Sequence, residues 1–289
     1  MDAPLIKTFL AAAMSLVLTG CGLEQDIELE LPAYESQPAV EAYLTPGQPF
    51  RVLVTRTAGF FDPLEIDSLQ FLENLVYQDL EITITWANNR VELDNIVAFD
   101  ADYLLLYNYS SRLVVPHNYT DSFYFEMVLP DGRSARAATK LLPVVPIDSN
   151  VVEYPEPLER DTLARVFTYI TDPEPDRVNR FRRLLTYAPV DSSELQDFVF
   201  TDEQSDQASI PVGTIYYFDP GDTIYVYNAH VDEAFEKYLL SVQLAEQSNG
   251  NPFAQPSSLL TNLRGDANAT GIFTSYAYDV DTLIIPAPQ

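Results

Sequence analysis

The chain has 289 residues, 47% of them hydrophobic and 12% aromatic, enough apolar material for packed cores rather than a disordered chain. Forty-three Asp and Glu against 16 Lys and Arg leave a formal net charge of -27, which repels nucleic-acid phosphates and anionic lipid headgroups. Ten Gly, two His and one Cys narrow the chemistry further: there is no Gly-rich dinucleotide or P-loop run, too few ligands for a Cys/His zinc set, and no disulfide within the chain.

At the N-terminus, Lys7 precedes an apolar stretch from Thr8 to Leu18. That stretch is much shorter than the ~20 residues a membrane span requires, so it reads as the apolar region of a signal peptide. It ends in Leu18-Thr19-Gly20-Cys21, which resembles the bacterial lipobox: Leu18, the small residues Thr19 and Gly20, then Cys21, the thiol that takes the lipid and becomes the new N-terminus. Residues 1–20 are then the lipoprotein signal peptide, and the lipid anchor is the protein's contact with the membrane. Glu24, Asp26, Glu28 and Glu30 make 21–36 an acidic tether, extended by its own repulsion. These acids resemble the export signal of Bacteroidetes surface lipoproteins, which implies an outer-membrane location facing the cell exterior.

Beyond the tether, period-2 alternation predicts strands. Phe50–Thr55 comes first, and 60–78 is a less regular stretch with room for a short helix. Leu80, Ile82, Ile84 and Trp86 then alternate with Glu81, Thr83 and Thr85, and Asn88-Asn89 turns the chain into Arg90–Leu93. Tyr103–Tyr107 and Ser122–Val128 follow, the latter leading through the turn residues Pro130-Asp131-Gly132 into Ser134–Thr139. Short strands joined by turns suggest a β-sandwich over 37–145. The Pro-rich stretch 142–149 marks a domain boundary, with a second mostly-β domain at 146–289. Its strands are expected at Thr162–Ile170, Arg180–Tyr187, Thr214–Phe218 and Thr223–Tyr227. One amphipathic helix is expected at about 232–248, capped by Asp232, with Phe235, Tyr238, Leu239, Val242 and Ala245 on one face. Asn249-Gly250-Asn251-Pro252 ends it.

Several segments resemble a family of Bacteroidetes outer-membrane lipoproteins known as a domain of unknown function and encoded beside TonB-dependent receptors. They are Val40–Gly47, Val52–Thr57, Leu129–Arg133, Pro146–Ser149, Thr171-Asp172-Pro173 and Gly221-Asp222-Thr223. Most specific are Asn249–Pro256, Thr261-Asn262-Leu263 and Gly271-Ile272-Phe273. The loop 264–270 departs from the family's double glycine. The resemblance implies an Ig-like β-sandwich followed by the second mostly-β domain, and a TonB-dependent outer-membrane receptor as partner. It supplies no catalytic residues.

No catalytic or cofactor-binding residue stands out. His117 and His230 are isolated, and carboxylates are too abundant for one pair to be singled out for hydrolysis. The acidic turns 202–206 and 219–222 raise calcium as the only metal candidate, although Asp is a common turn residue and neither segment has EF-hand spacing. Tyr216-Tyr217-Phe218 and Tyr225-Val226-Tyr227 could stack on sugars, but tyrosine is common in strands generally. Arg177, Arg180, Arg182 and Arg183 are the only basic cluster and the candidate partner contact, set against internal charge balance. Ser68, in an Asp-Ser-Leu triplet, is the candidate O-glycosylation site. The expected function is a non-enzymatic accessory or substrate-capture subunit of a TonB-dependent transporter. A structural or assembly lipoprotein of an outer-membrane complex, or a surface hydrolase with an acidic site, are the alternatives.

Overall fold

The computed structural model describes residues 35–57, 75–100, 105–156, 163–188, 194–203, 208–248 and 258–288. In chain order the strands are β1 (Pro38–Leu44), β2 (Pro49–Arg56), β3 (Glu81–Trp86), β4 (Asn89–Asp100), β5 (Leu105–Val114), β6 (Ser122–Val128) and β7 (Ser134–Lys140). Then come β8 (Ile147–Glu153), β9 (Arg165–Thr171), β10 (Arg180–Thr186), β11 (Glu194–Thr201), β12 (Ser209–Gly213) and β13 (Thr223–Val231). Helix α1 (Glu233–Ser248) follows, and β14 (Arg264–Gly265), β15 (Thr270–Ser275) and β16 (Ala277–Ile284) end the chain. Among the described residues the molecule is mostly β, with one long helix.

The strands of 37–145 do not form the two packed sheets of an Ig-like sandwich. They join a single nine-stranded sheet, ordered β14-β7-β6-β3-β4-β5-β2-β1-β15, which curls around one core. Alternation explains the curl: Val40, Ala42 and Leu44 of β1, Val52 and Val54 of β2, Ile82 and Ile84 of β3, and Phe123, Phe125 and Met127 of β6 all point inward. Trp86 is partly buried, its ring 5.4 Å from both Phe50 and Phe123. Asn108 is the polar exception in this core. It accepts from the Val54 N–H and donates to the carbonyls of Val54 and Tyr77, so its burial leaves no amide group unmet.

The edges of this sheet come from far along the chain. β15 pairs in parallel with β1, Val40 opposite Gly271, and also lies beside β7 near the other edge. β14 pairs with β7, so the two stretches on either side of residue 146 share one sheet. Gly271 has φ +105, and a Cβ there would stand 2.0 Å from the Val40 carbonyl oxygen. The Asn262 side chain clamps the same strand from the other side, donating to the Phe273 carbonyl and accepting from its N–H. The segments 40–47, 261–263 and 271–273 singled out in the sequence therefore meet at one seam and serve the framework.

The remaining strands form a four-stranded sheet, β11-β10-β13-β16, and a three-stranded one, β12-β9-β8. The two face each other across shared apolar clusters. One joins Val166 of β9 with Leu185 of β10 and Val226 of β13, and the other joins Ile170 of β9 and Ile210 of β12 with Phe181 of β10. Thr214–Phe218, expected as a strand, is irregular: Thr214 exchanges hydrogen bonds with Val166, and Tyr217 and Phe218 donate to the Ala164 carbonyl beside an isolated bridge from Phe218 to Ala164. β8 begins inside the Pro-rich stretch 142–149. The expected helix forms, with Asp232 accepting from the Phe235 N–H at 2.8 Å as its cap.

Candidate functional site

The only basic cluster of the chain falls on β10 and the turn before it, and β10 is a central strand flanked by β11 and β13. Alternation sends neighbouring arginines to opposite faces, so the four do not make one patch. Arg177, 74% exposed, pairs with Glu174 within the turn. Arg180 reaches Glu236 on α1 at 2.6 Å. Arg182 is nearly covered. Its Nε and Nη2 donate to the two oxygens of Asp197 at 2.6 and 2.7 Å, and its Nη1 donates to the Tyr276 hydroxyl at 3.1 Å. Burial alone would lower its pKa, but the Asp197 fork and Tyr276 outweigh that and hold it well above the ordinary arginine value.

Arg183 points the other way, between the two small sheets, and is 1% exposed. It donates to the Val212 carbonyl from β12 and to the Thr168 hydroxyl from β9. The Thr168 hydroxyl in turn donates to Asn150 Oδ1, and the Asn150 amide nitrogen donates to Asp281, so a polar spine runs from the buried guanidinium to an acid on β16. Among the described residues no carboxylate forms an ion pair with Arg183, and burial lowers its pKa to about 10. The clustering visible in the sequence is thus divided between two internal duties, and Arg177 is the member left mainly to solvent.

A second hub sits at the β9–β10 turn. The Asn179 amide nitrogen lies 2.7 Å from Asp202 Oδ2, 3.0 Å from Asp172 Oδ1 and 3.2 Å from the carbonyls of Glu174 and Arg177. Four oxygens converge on an uncharged donor, which occupies the place a cation would take. Asn179→Asp puts a fifth oxygen at that point and is expected to cost about 3 kcal/mol at pH 7 by charge repulsion and lost donation. Urea unfolding at pH 7 checks it, and an unchanged midpoint would contradict the charge argument.

The outer face of the four-stranded sheet meets β1 and α1 through an aromatic group. Tyr43, Phe235 and Tyr276 have ring centroids 5.5 to 6.3 Å apart, and the Arg182 guanidinium lies over Phe235 and Tyr276. Tyr238 packs nearby on α1. Burial first, then the Glu41 carboxylate, raises the pKa of both Tyr43 and Tyr238 above the ordinary value of 10.0. A phenol raised on folding contributes stability that is complete below pH 10 and lost as the pH climbs towards its folded-state value. Arg183 acts in the opposite sense, because its buried charge costs stability below about pH 10 and the cost fades as the pH climbs towards the ordinary arginine value. Tyr238→Phe is expected to lose less stability than the parent between pH 8 and 11 in chemical denaturation. Parallel losses would rule out this tyrosine as a source.

Leu18, Thr19, Gly20 and Cys21, the tether acids, Ser68 and the run 249–256 lie outside the described residues. His230 is buried in β13, stacked on Phe181 at 5.3 Å, and burial lowers its pKa. His117 is exposed and 3.3 Å from the Tyr119 hydroxyl. Among the described residues no three His, Cys, Asp or Glu side chains are grouped to hold a metal ion. The turn at 219–222 is closed by its own bonds, Asp219 N–H to the Asp222 carboxylate and Asp222 N–H to the Asp219 carbonyl. Tyr217 packs edge-on to the core residue Phe218, and Tyr216 lies against Arg165. The hub at Asn179 was not legible in the sequence, and for Gly271-Ile272-Phe273, which the sequence marks, the pairing with Val40 was not. Asn179 follows an acidic turn and Gly271 precedes an apolar pair, but neither pattern tells which distant strand it meets. No family model matches the chain, and no curated protein matches it.

Proposed function

We propose that the protein is a lipid-anchored outer-membrane lipoprotein, facing the cell exterior, that acts as a non-enzymatic accessory of a TonB-dependent transporter. The observation that carries this reading is Leu18-Thr19-Gly20-Cys21 behind a short apolar run, with the only cysteine of the chain at the position to be acylated. The resemblance of the segments at 40–47, 261–263 and 271–273 supplies the transporter. The internal use of Arg180, Arg182 and Arg183 favours a scaffold that presents surfaces over one built around an exposed charged centre. A lipid anchor confines the protein to two dimensions and raises its effective concentration near a membrane partner, so modest affinity suffices to hold a complex.

Cys21→Ala is expected to move the protein from the membrane fraction to the soluble one, because several acyl chains each contribute ~0.8 kcal/mol per buried methylene. Fractionation followed by a salt wash reads this out, and full retention of the variant would refute lipid anchoring. A C-terminal tag on the lipidated protein, purified in mild detergent from its own outer membrane, should bring down a large TonB-dependent receptor. Its absence would overturn the transporter reading.

A further inference from the structure

We propose that a single halide ion, chloride under physiological conditions, is held between the two small sheets against Arg183 Nε, with the Gln196 amide as its second donor. The inference is independent of the anchor and of the receptor.

The interior between these sheets is apolar on either side of a polar layer. Val166, Leu185 and Val226 fill one side, and Ile170, Phe181 and Ile210 the other. Thr168, Arg183 and Asn228 lie in the layer, all buried. Asn228, opposite Arg183 on β13, donates to the Val145 carbonyl. Thr168 accepts from Arg183 and donates to Asn150. Two atoms are left over. Arg183 Nε and Gln196 Oε1 are both buried, and among the described residues neither has a hydrogen-bond partner. Gln196 lies opposite Leu185 on β11, which puts it on the same face of the sheet as Arg183, one diagonal step away. A buried N–H that donates to nothing is costly, and more so on a cation that meets no counter-charge among the described residues.

The donors that remain select the ion. A guanidinium grips a carboxylate or phosphate through two parallel N–H bonds. Here Nη1 and Nη2 already serve Val212 and Thr168, so no second nitrogen is free for that fork. A single remaining donor suits a spherical ion. One positive charge also balances one negative charge, whereas a dianion would leave net charge in the interior. A half-turn of the Gln196 amide brings its NH2 to where Oε1 points and gives the ion a second donor. Water would satisfy both atoms but leave the guanidinium uncompensated. Asp197, on the neighbouring strand, cannot take the position, because it faces away from Arg183 and is held by Arg182. The chain's surface acids repel anions at a distance, but salt screens that repulsion over about 8 Å.

The test uses the full-length protein in mild detergent, with chloride and bromide as the probes. Replacing gluconate by chloride at constant ionic strength should raise the melting temperature with the logarithm of chloride concentration, as mass action requires of a ligand that binds only the folded state. Bromide should do the same. Arg183→Met should abolish the chloride-dependent rise. Gln196→Leu, which removes one donor and leaves the guanidinium in place, should move its onset to about tenfold higher chloride. In crystals grown with bromide, the anomalous peak should lie beside Arg183 Nε. Equal responses to chloride in the parent and in Arg183→Met, or bromide peaks confined to the surface, would overturn the proposal. Stabilisation by formate without any by chloride would overturn it too, because the ligand would then be a carboxylate. Should Arg183→Met fail to fold, the bromide peak and the Gln196→Leu shift decide: their joint absence overturns the site.

Discussion

Gly271→Ala is expected to abolish the soluble folded protein or to lower its stability by about 4 kcal/mol, near the upper end of single substitutions. The added Cβ would stand 2.0 Å from the Val40 oxygen and 2.8 Å from the Val40 carbonyl carbon and nitrogen. All three are backbone atoms, so no side-chain rotation relieves the contact. Relief requires β1 and β15 to separate, and their parallel pairing is what brings the C-terminal strand into the nine-stranded sheet. Gly132→Ala is the control. It shares the left-handed backbone, with φ +87, but nothing lies within 4 Å of its Cβ. Its cost is backbone strain alone, about 1 kcal/mol. Urea midpoints of the two variants separate crowding from strain, and equal losses would show that the seam yields more easily than its geometry implies.

Arg183→Glu is expected to unfold the two-sheet half of the molecule, with a loss above about 4 kcal/mol. The substitution places a carboxylate between two sheets where the guanidinium now donates to Thr168 and Val212, and both of those contacts need a donor. Arg183→Met keeps the volume and removes the charge. Among the described residues no carboxylate forms an ion pair with Arg183, so methionine strands no anion there, and its cost should stay near 1 to 2 kcal/mol for the two lost hydrogen bonds, about the usual worth of such bonds. Thermal melts at pH 7 discriminate the two. A methionine variant as damaged as the glutamate would mean that the guanidinium's charge stabilises the packing of the two small sheets. The pair also bears on partner binding, since loss of a complex with Arg183→Glu would report unfolding, whereas Arg177→Glu alters an exposed side chain.

Strand and helix signals that depend on neighbours in sequence were legible without the structure. Alternation marked Ile82 and Ile84 as inward residues of β3 and placed β6 at Ser122–Val128, because a half-buried strand needs one apolar face and its period is local. The cap at Asp232 and the apolar spacing from Phe235 to Val242 marked α1 for the same reason. Leu18-Thr19-Gly20-Cys21 is legible in the sequence alone, since those residues lie outside the described ones. Pairing partners were another matter. Gly271 and Val40 are brought together over most of the chain, and nothing near either residue encodes the other. Which sheet β14 and β15 join, and therefore that 37–145 forms one curled sheet with C-terminal edges, is settled only when the core closes. The arginines show the same division. Their clustering is a sequence fact, but whether Arg182 and Arg183 share a surface depends on β10 being a central strand covered on both faces. Its pleat separates adjacent side chains, and burial gives one Asp197 and two aromatic rings and leaves the other to a threonine and a carbonyl.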